Sequence, residues 1–279
     1  MARGSLPVSH HRKARRLVPK LLDWYRTHAR DLPWRHTEDP YAIWISEIML
    51  QQTQVTTVIP YWKRWMRALP TVQKLARINP ERVLKLWEGL GYYSRARNLQ
   101  AAAQKIVTEH GGIFPEDPKI MRELPGIGRY TAGAISSIAF DQPEPIVDGN
   151  VVRILTRIFG IRENPKNKKP QEKLWELAQT MVSASEDCAV LNQSIMELGA
   201  TVCHPRHPEC DNCPVNRSCI AKREKITHLI PDKGKPTQYE EKQIEVYVLA
   251  RNGDLLLQQR PEGFTNAGFW ELPNNESGP

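Results

Sequence analysis

Apolar residues recur every three to four positions along most of residues 15–225, in segments separated by proline and glycine. That period belongs to amphipathic helices packed on a core. It predicts helices over 41–53, 57–68, 71–77, 80–87, 95–109, 118–123, 129–140, 150–159, 170–183 and 188–199, with a further helical pattern through Leu17, Leu21 and Tyr25. Neither strand alternation nor an internal repeat interrupts this stretch, so its expected fold class is mainly α.

The pattern changes after about residue 225. Residues 226–241 carry Pro231, Gly234, Pro236 and two lysines, the composition of a linker. Two apolar runs follow, Gln243–Ala250 and Leu255–Arg260, on either side of Asn252-Gly253. Asn-Gly between such runs is a strong hairpin signal. A lone hairpin is marginal in water, so the chain is expected to stop, at Pro279, inside a second domain that it does not complete.

A length of 279 residues fits about two domains and is enough to bury a core without disulfides. No apolar run is long enough to span a membrane, and none forms a signal-peptide core. The acid-free basic stretch 1–22 has the composition of a transit peptide, but it runs straight into the first helical pattern. A cytoplasmic location is therefore expected. Net charge is +8, divided as +11 over residues 1–225 and −3 over 226–279. A basic front part suits a polyanion such as nucleic acid, although much of the excess lies in a basic N-terminal stretch.

Several segments carry candidate chemistry. In Ala42–Leu50 (AIWISEIML) only Ser46 and Glu47 are polar. A helix apolar nearly all round is buried, and burial raises a carboxylate's pKa, as a general acid requires. An edge carboxylate paired with a cation is the plainer alternative. Leu124-Pro125-Gly126-Ile127-Gly128-Arg129-Tyr130 joins two predicted helices; its two glycines allow φ > 0 and close approach, so its N–H groups could grip a phosphate. It could equally be an ordinary turn. Asp148 stands where helix 150–159 begins; it can simply cap that helix, and the same N–H groups and dipole would lower its pKa and hold it ionised. One carboxyl pushed neutral and one held charged is the arrangement of glycosidic chemistry.

Five cysteines are present. Cys188 stands alone; Cys203, Cys210, Cys213 and Cys219 fall within 17 residues. Four thiolates with a single C-x2-C pair suit a [4Fe–4S] cluster better than zinc, whose ligands usually come as two separated close pairs. The enclosed HPRHPE (204–209) adds Arg206 and two histidines, apt for a phosphate backbone.

Together, RDLPWR (30–35), SEIMLQQTQV (46–55), EGLGYYSR (88–95), LPGIGRYTAGA (124–134), IVDGNV (146–151) and the four-cysteine loop resemble the adenine DNA glycosylase (MutY) family of the endonuclease III, helix-hairpin-helix superfamily. The resemblance covers nearly all of residues 15–279. It implies two helical lobes: a six-helix module over 31–145, and an iron–sulfur lobe formed by 1–30 and 146–225. After the linker at 226–241, residues 242–279 would open a third, α/β Nudix-like domain that recognises 8-oxoguanine, present only through its first strands. Glu47 matches the acid that protonates adenine, Asp148 the carboxylate that stabilises the sugar cation, and Tyr130 a residue that helps hold that cation. Leu32, Trp34 and Arg35, in the motif that Arg30 opens, fall where the family builds its adenine pocket. Gln52 and Tyr92 fall where it inserts side chains into the DNA stack. Gly126 and Gly128, followed by Arg129, belong to its phosphate grip.

The function so implied is monofunctional removal of adenine mispaired with 8-oxoguanine or guanine, by a monomer acting on double-stranded chromosomal DNA. Relatives that also cut the backbone carry a lysine where this chain has Tyr130, and a phenol cannot form their Schiff base. That argues against a bifunctional glycosylase/lyase. The Glu47 and Asp148 pair argues against a non-catalytic iron–sulfur DNA-binding protein.

Overall fold

A computed structural model of the chain describes residues 7–235, 241, 243–261, 263, 264 and 267–277. Two compact units result, Met1–Gly234 and Lys235–Pro279. The first is built from α1 (Val8–His28), α2 (Pro40–Leu50), α3 (Val55–Ala68), α4 (Val72–Arg77), α5 (Pro80–Trp87), α6 (Ser94–Glu109), α7 (Pro118–Met121), α8 (Arg129–Phe140), α9 (Gly149–Phe159), α10 (Lys168–Val182), α11 (Cys188–Thr201) and α12 (Ile220–Arg223). Its described residues contain no strand, and among the described residues no helix is long and apolar enough to cross a membrane.

The helix starts are local chemistry. Asp39, Asn79, Asp117, Asp148 and Asp187 each accept a hydrogen bond from a backbone N–H in the first turn of α2, α5, α7, α9 and α11. Proline follows at the first position of α2, α5 and α7, where its missing N–H costs nothing. The largest shift of an expected end is at α2, which stops at Leu50 rather than 53, because Gln52 turns to φ +57.

Two hydrophobic clusters hold the unit. One gathers Trp44, Ile45, Met49, Trp65, Leu75, Trp87, Leu99 and Ile106 around α2. The other gathers Leu17, Leu21, Leu155, Leu174, Leu177, Met181 and Leu191 from α1 and α9–α11. Burial of each such side chain contributes about 1.5–3 kcal/mol, far more than an exposed ion pair. Helix α8 serves both, with Ala132 and Ile135 in the first cluster and Ala134 in the second. Its Gly133 lets the chain at 145 come close: a Cβ there would sit 2.5 Å from the Pro145 carbonyl oxygen.

Between α7 and α8 lies the hairpin Leu124–Gly128. Gly126 is left-handed at φ +76, and a Cβ on it would lie 2.8 Å from Asn98 Cβ. Gly128 differs from the expectation of two positive-φ glycines: it is extended at φ −89, as the cap residue of α8.

The first residues of the linker expected at 226–241 are held by the helical unit. Arg157 on α9, 2% exposed, donates to the carbonyls of His204, Pro205, Thr227 and Ile230, which pins 227–230 onto the helical unit. Residues 236–240 and 242 lie outside the described residues.

Among its described residues the second unit holds three antiparallel pairs: β1 (Gln243–Val246) with β6 (Asn274–Ser277), β2 (Ala250–Arg251) with β3 (Asp254–Leu255), and β4 (Gln258–Gln259) with β5 (Trp270–Glu271). The Asn252-Gly253 turn forms as expected, with φ +53 and +88, but its ladder is two residues long. The longer hairpin of 243–250 with 255–260 does not form, since each arm takes a partner from the 270–277 region instead.

Gly126→Ala should destabilise the protein by about 2 kcal/mol, the cost of forcing a Cβ into left-handed backbone, with the Asn98 contact added. Gly128→Ala, in allowed backbone and open space, should cost less than about 1 kcal/mol. Thermal unfolding of the two variants checks the difference.

Candidate active site

Helix α2 is buried at every position from Tyr41 to Met49, and Glu47 is the one carboxylate in that run. It is 6% exposed and faces a cavity of about 600 Å³. The O–H of Tyr130, from the first turn of α8, donates to Glu47 Oε2 at 2.6 Å and lies 3.4 Å from Met196 Sδ. Burial pushes the Glu47 carboxyl up to about 7; the Tyr130 bond opposes this, the Asp148 charge adds to it, and Arg35 opposes it. Burial also pushes the Tyr130 phenol well above its ordinary value, helped by the Glu47 carboxylate. A group that titrates near the working pH can both give and retake a proton.

Asp148 lines the same cavity at the start of α9. Its Oδ1 accepts from Val151 N–H at 2.7 Å and its Oδ2 from the Asn150 amide at 2.9 Å. The expected lowering of its pKa is not met. Burial raises it, and the Val151 and Asn150 bonds and the Arg153 charge only oppose the rise. Asp148 still keeps donors from both Val151 and Asn150 aimed at its ionised form, whereas Glu47 has the Tyr130 hydroxyl.

The cavity brings together Arg30, Leu32, Trp34, Arg35, Glu47, Gln52, Tyr130 and Asp148. Tyr92, Gly126, Gly128 and Arg129 stand outside its lining. Tyr92 is 61% exposed at φ +48, and Arg129 stacks its guanidinium over Trp175 at 3.7 Å.

Other lining residues went unread in the sequence, Asn150, Gln193, Met196 and Glu197 among them. Glu197 is fully buried. It accepts from Arg30 N–H at 3.0 Å, Arg30 Nε at 2.7 Å, Arg30 Nη2 at 2.8 Å and Arg35 Nη2 at 2.7 Å. Burial works to raise this carboxyl, but those bonds outweigh it and hold it at about 2. Arg30 and Arg35 are thus committed to Glu197 at the cavity wall. The signal was present: Glu197 sits in MELGA as Glu47 sits in SEIML, a lone carboxylate in an apolar helical run.

The thiols of Cys203, Cys210, Cys213 and Cys219 are free, and all four line one small apolar cavity. Burial pushes Cys213 up to about 12 and raises Cys210 and Cys219 as well. Arg157 Nη1 donates to Cys203 Sγ at 3.2 Å. Among the described residues no group of three or more His, Cys, Asp or Glu is arranged to hold a metal ion. Cys188 is apart, buried in the second hydrophobic cluster.

Helices, hairpin and cavity define a class that the comparisons name. Residues 45–180 match the family described as HhH-GPD superfamily base excision DNA repair protein. A solved thermostable thymine-DNA glycosylase is similar to the chain at TM-score 0.71 and 30% identity, over 77% of this chain and 99% of that one. The adenine DNA glycosylase of Rattus norvegicus is 50% identical over 210 residues, 72% of this chain and 40% of the relative. That of Buchnera aphidicola subsp. Schizaphis graminum is 40% identical over 255 residues, 91% of this chain and 73% of the relative. The chain belongs to the adenine DNA glycosylase family. It spans only about two fifths of the length of its mammalian relatives.

The two buried glutamates should shift stability in opposite senses. Glu47 is raised to about 7, so the stability tied to its proton is full below the ordinary carboxylate range and lost as pH rises through about 7. Glu47→Gln should therefore raise the melting temperature over wild type more at pH 8 than at pH 5. Glu197 is held at about 2, so its contribution is present above the ordinary range and lost as pH falls toward 2. Glu197→Gln should cost about 3 kcal/mol at pH 7, the lower end for breaking a buried pair because Arg30 is partly exposed, and less at pH 3. Melting curves of both variants across pH check the signs.

Proposed function

We propose that this chain is a monofunctional DNA glycosylase that hydrolyses the N-glycosidic bond of adenine mispaired with 8-oxoguanine or guanine. The observation that carries the reading is Glu47, buried and raised to about 7, facing one cavity with Asp148. A glycosylase reaches its atom only by flipping the nucleotide out of the duplex. A cavity of about 600 Å³ beside Leu32 and Trp34 has room for a flipped base.

Adenine is a poor anionic leaving group. The Glu47 carboxyl gives its proton to a ring nitrogen as the glycosidic electron pair moves to the base, which departs neutral. The Asp148 carboxylate, fixed by Val151 and Asn150, stabilises the cation left on the sugar. Water adds its hydroxyl to C1′, and its proton restores the acid. Tyr130 orients Glu47 through its 2.6 Å bond and supplies no amine, so the product is an abasic site rather than a cut strand.

On this reading the Gly126–Arg129 hairpin contacts the phosphate backbone, and Gln52 and Tyr92, both exposed, enter the base stack. The strand pairs of the second unit belong to a Nudix-like domain. The four cysteines fit a [4Fe–4S] cluster: the donor set is all sulfur, the thiols are unpaired, and their common cavity is apolar. Cys203, Cys210, Cys213 and Cys219 would hold it. When bound, the cluster replaces the thiol protons with a cationic centre and ties loop 203–219 into one shape, and Arg157 supports that loop at Cys203.

Glu47→Gln should lower single-turnover excision from an A:8-oxoguanine duplex by ~10²–10⁴-fold while leaving duplex binding in place. Wild-type rate should decline as pH rises through about 7. The DNA should remain full length until treated with alkali. Excision at wild-type rate by the variant, or prompt nicking without alkali, contradicts the reading. The purified protein should be brown with about four irons per chain. Cys203→Ser should lose iron and Cys188→Ala should not; a chain loaded with zinc and colourless removes the cluster.

A further inference from the structure

Two side chains expected to enter DNA stand on left-handed backbone: Gln52 at φ +57 and Tyr92 at φ +48. Neither is glycine, and L side chains rarely adopt this conformation, so something must hold each turn. The two turns are 40 residues apart in sequence, yet one side chain touches both. Arg95, at the start of α6, is buried. Its Nη1 donates to the carbonyls of Ile48 at 2.8 Å, Met49 at 3.2 Å and Gln51 at 2.6 Å, the end of α2 and the residue before Gln52. Its Nη2 donates to the hydroxyl of Thr53 at 3.4 Å, just after Gln52. The same Nη2 donates to the carbonyls of Leu90 at 3.0 Å and Gly91 at 3.3 Å, which lead into Tyr92. The guanidinium also lies 5.5 Å from the Tyr92 ring and 5.2 Å from that of Trp87.

We infer that Arg95 is a positioning residue that locks the Gln52 and Tyr92 turns into one rigid unit, so that both side chains enter the duplex together. The inference rests on the DNA reading above. A planar fork with several fixed N–H directions can satisfy carbonyls from two loops at once; an ammonium on a flexible stem cannot. Helix ends leave carbonyls without partners. Here those of α2 are closed by a group that also grips the other turn. Arg95 touches no reacting atom and does not line the cavity.

The test uses the full chain in a Glu47→Gln background, which keeps the target base attached, with a duplex carrying 2-aminopurine opposite 8-oxoguanine. Fluorescence of that probe rises on unstacking. Arg95→Lys should weaken the titrated rise about tenfold, the scale of losing bonds to a charged donor. Affinity for a fully paired duplex of the same length should stay unchanged. In a Gln52→Ala/Tyr92→Ala background the same Arg95→Lys change should alter the response less than about twofold, because coupled residues are non-additive. An undiminished tenfold effect in that background overturns the inference, as does an equal loss of affinity for paired duplex, which marks a general structural role. An Arg95→Lys response equal to that of Arg95 overturns it too. No fluorescence rise even with Arg95 in place removes the DNA reading itself, and the inference with it.

Discussion

The burial of one carboxyl group in the most apolar helix of the molecule governs the arrangement around it. Helix α2 has no solvent face from Tyr41 to Met49, so Glu47 must meet protein or cavity. Burying an unpaired carboxylate costs several kcal/mol, and a group in that position keeps its proton instead. The surroundings favour that state: one phenol donates to it, and among the described residues no cation forms an ion pair with it. That phenol comes from α8, which packs against α2 in the first hydrophobic cluster. Core packing and acid chemistry are thus one requirement.

Glu197 makes the contrast. It too is a lone carboxylate in an apolar helix, fully buried, and it borders the same cavity. Two guanidiniums reach it, and it stays ionised at about 2. Two glutamates with the same local sequence character are thus pushed in opposite directions, one up to about 7 and the other down to about 2. The proposed proton donor and the charged anchor differ chiefly in whether arginine hydrogen-bonds to the carboxylate.

Arginine recurs as the connector of this fold. Arg95 closes the end of α2 and the Tyr92 turn, and Arg157 closes the cysteine loop and residues 227–230. Arg153 joins Asn150 to the carbonyls of Gly199 and Cys203. In each case the acceptors are mostly backbone carbonyls at helix ends and in irregular loops, the groups that regular structure leaves unsatisfied. A fixed fork of donors answers several at once, and ties helix ends to neighbouring loops. The second unit has no comparable connector or cluster among its described residues. Its short antiparallel pairs leave Ile244, Val246, Leu255 and Leu257 largely exposed.

Much of this was legible along the chain. Helices α5 and α8 fall on the residues that periodicity predicts, and most others within two or three, because spacing and caps such as Asn79 and Asp148 act over a few residues. The apolar surroundings of Glu47 announced its burial; the cysteine spacing was read as a [4Fe–4S] cluster, and the structure brings the four thiols to one cavity. Other features were decided only by tertiary structure. The Arg30–Glu197 pair joins residues 167 apart, and the net rise at Asp148 reflects how much protein covers it. The strand pairing of β1 with β6 chose a partner that the strong Asn252-Gly253 turn did not suggest. Periodicity reports which positions are buried. It cannot report which partner shares the burial, and for a charged or hydrogen-bonding group the partner determines the protonation state and the role.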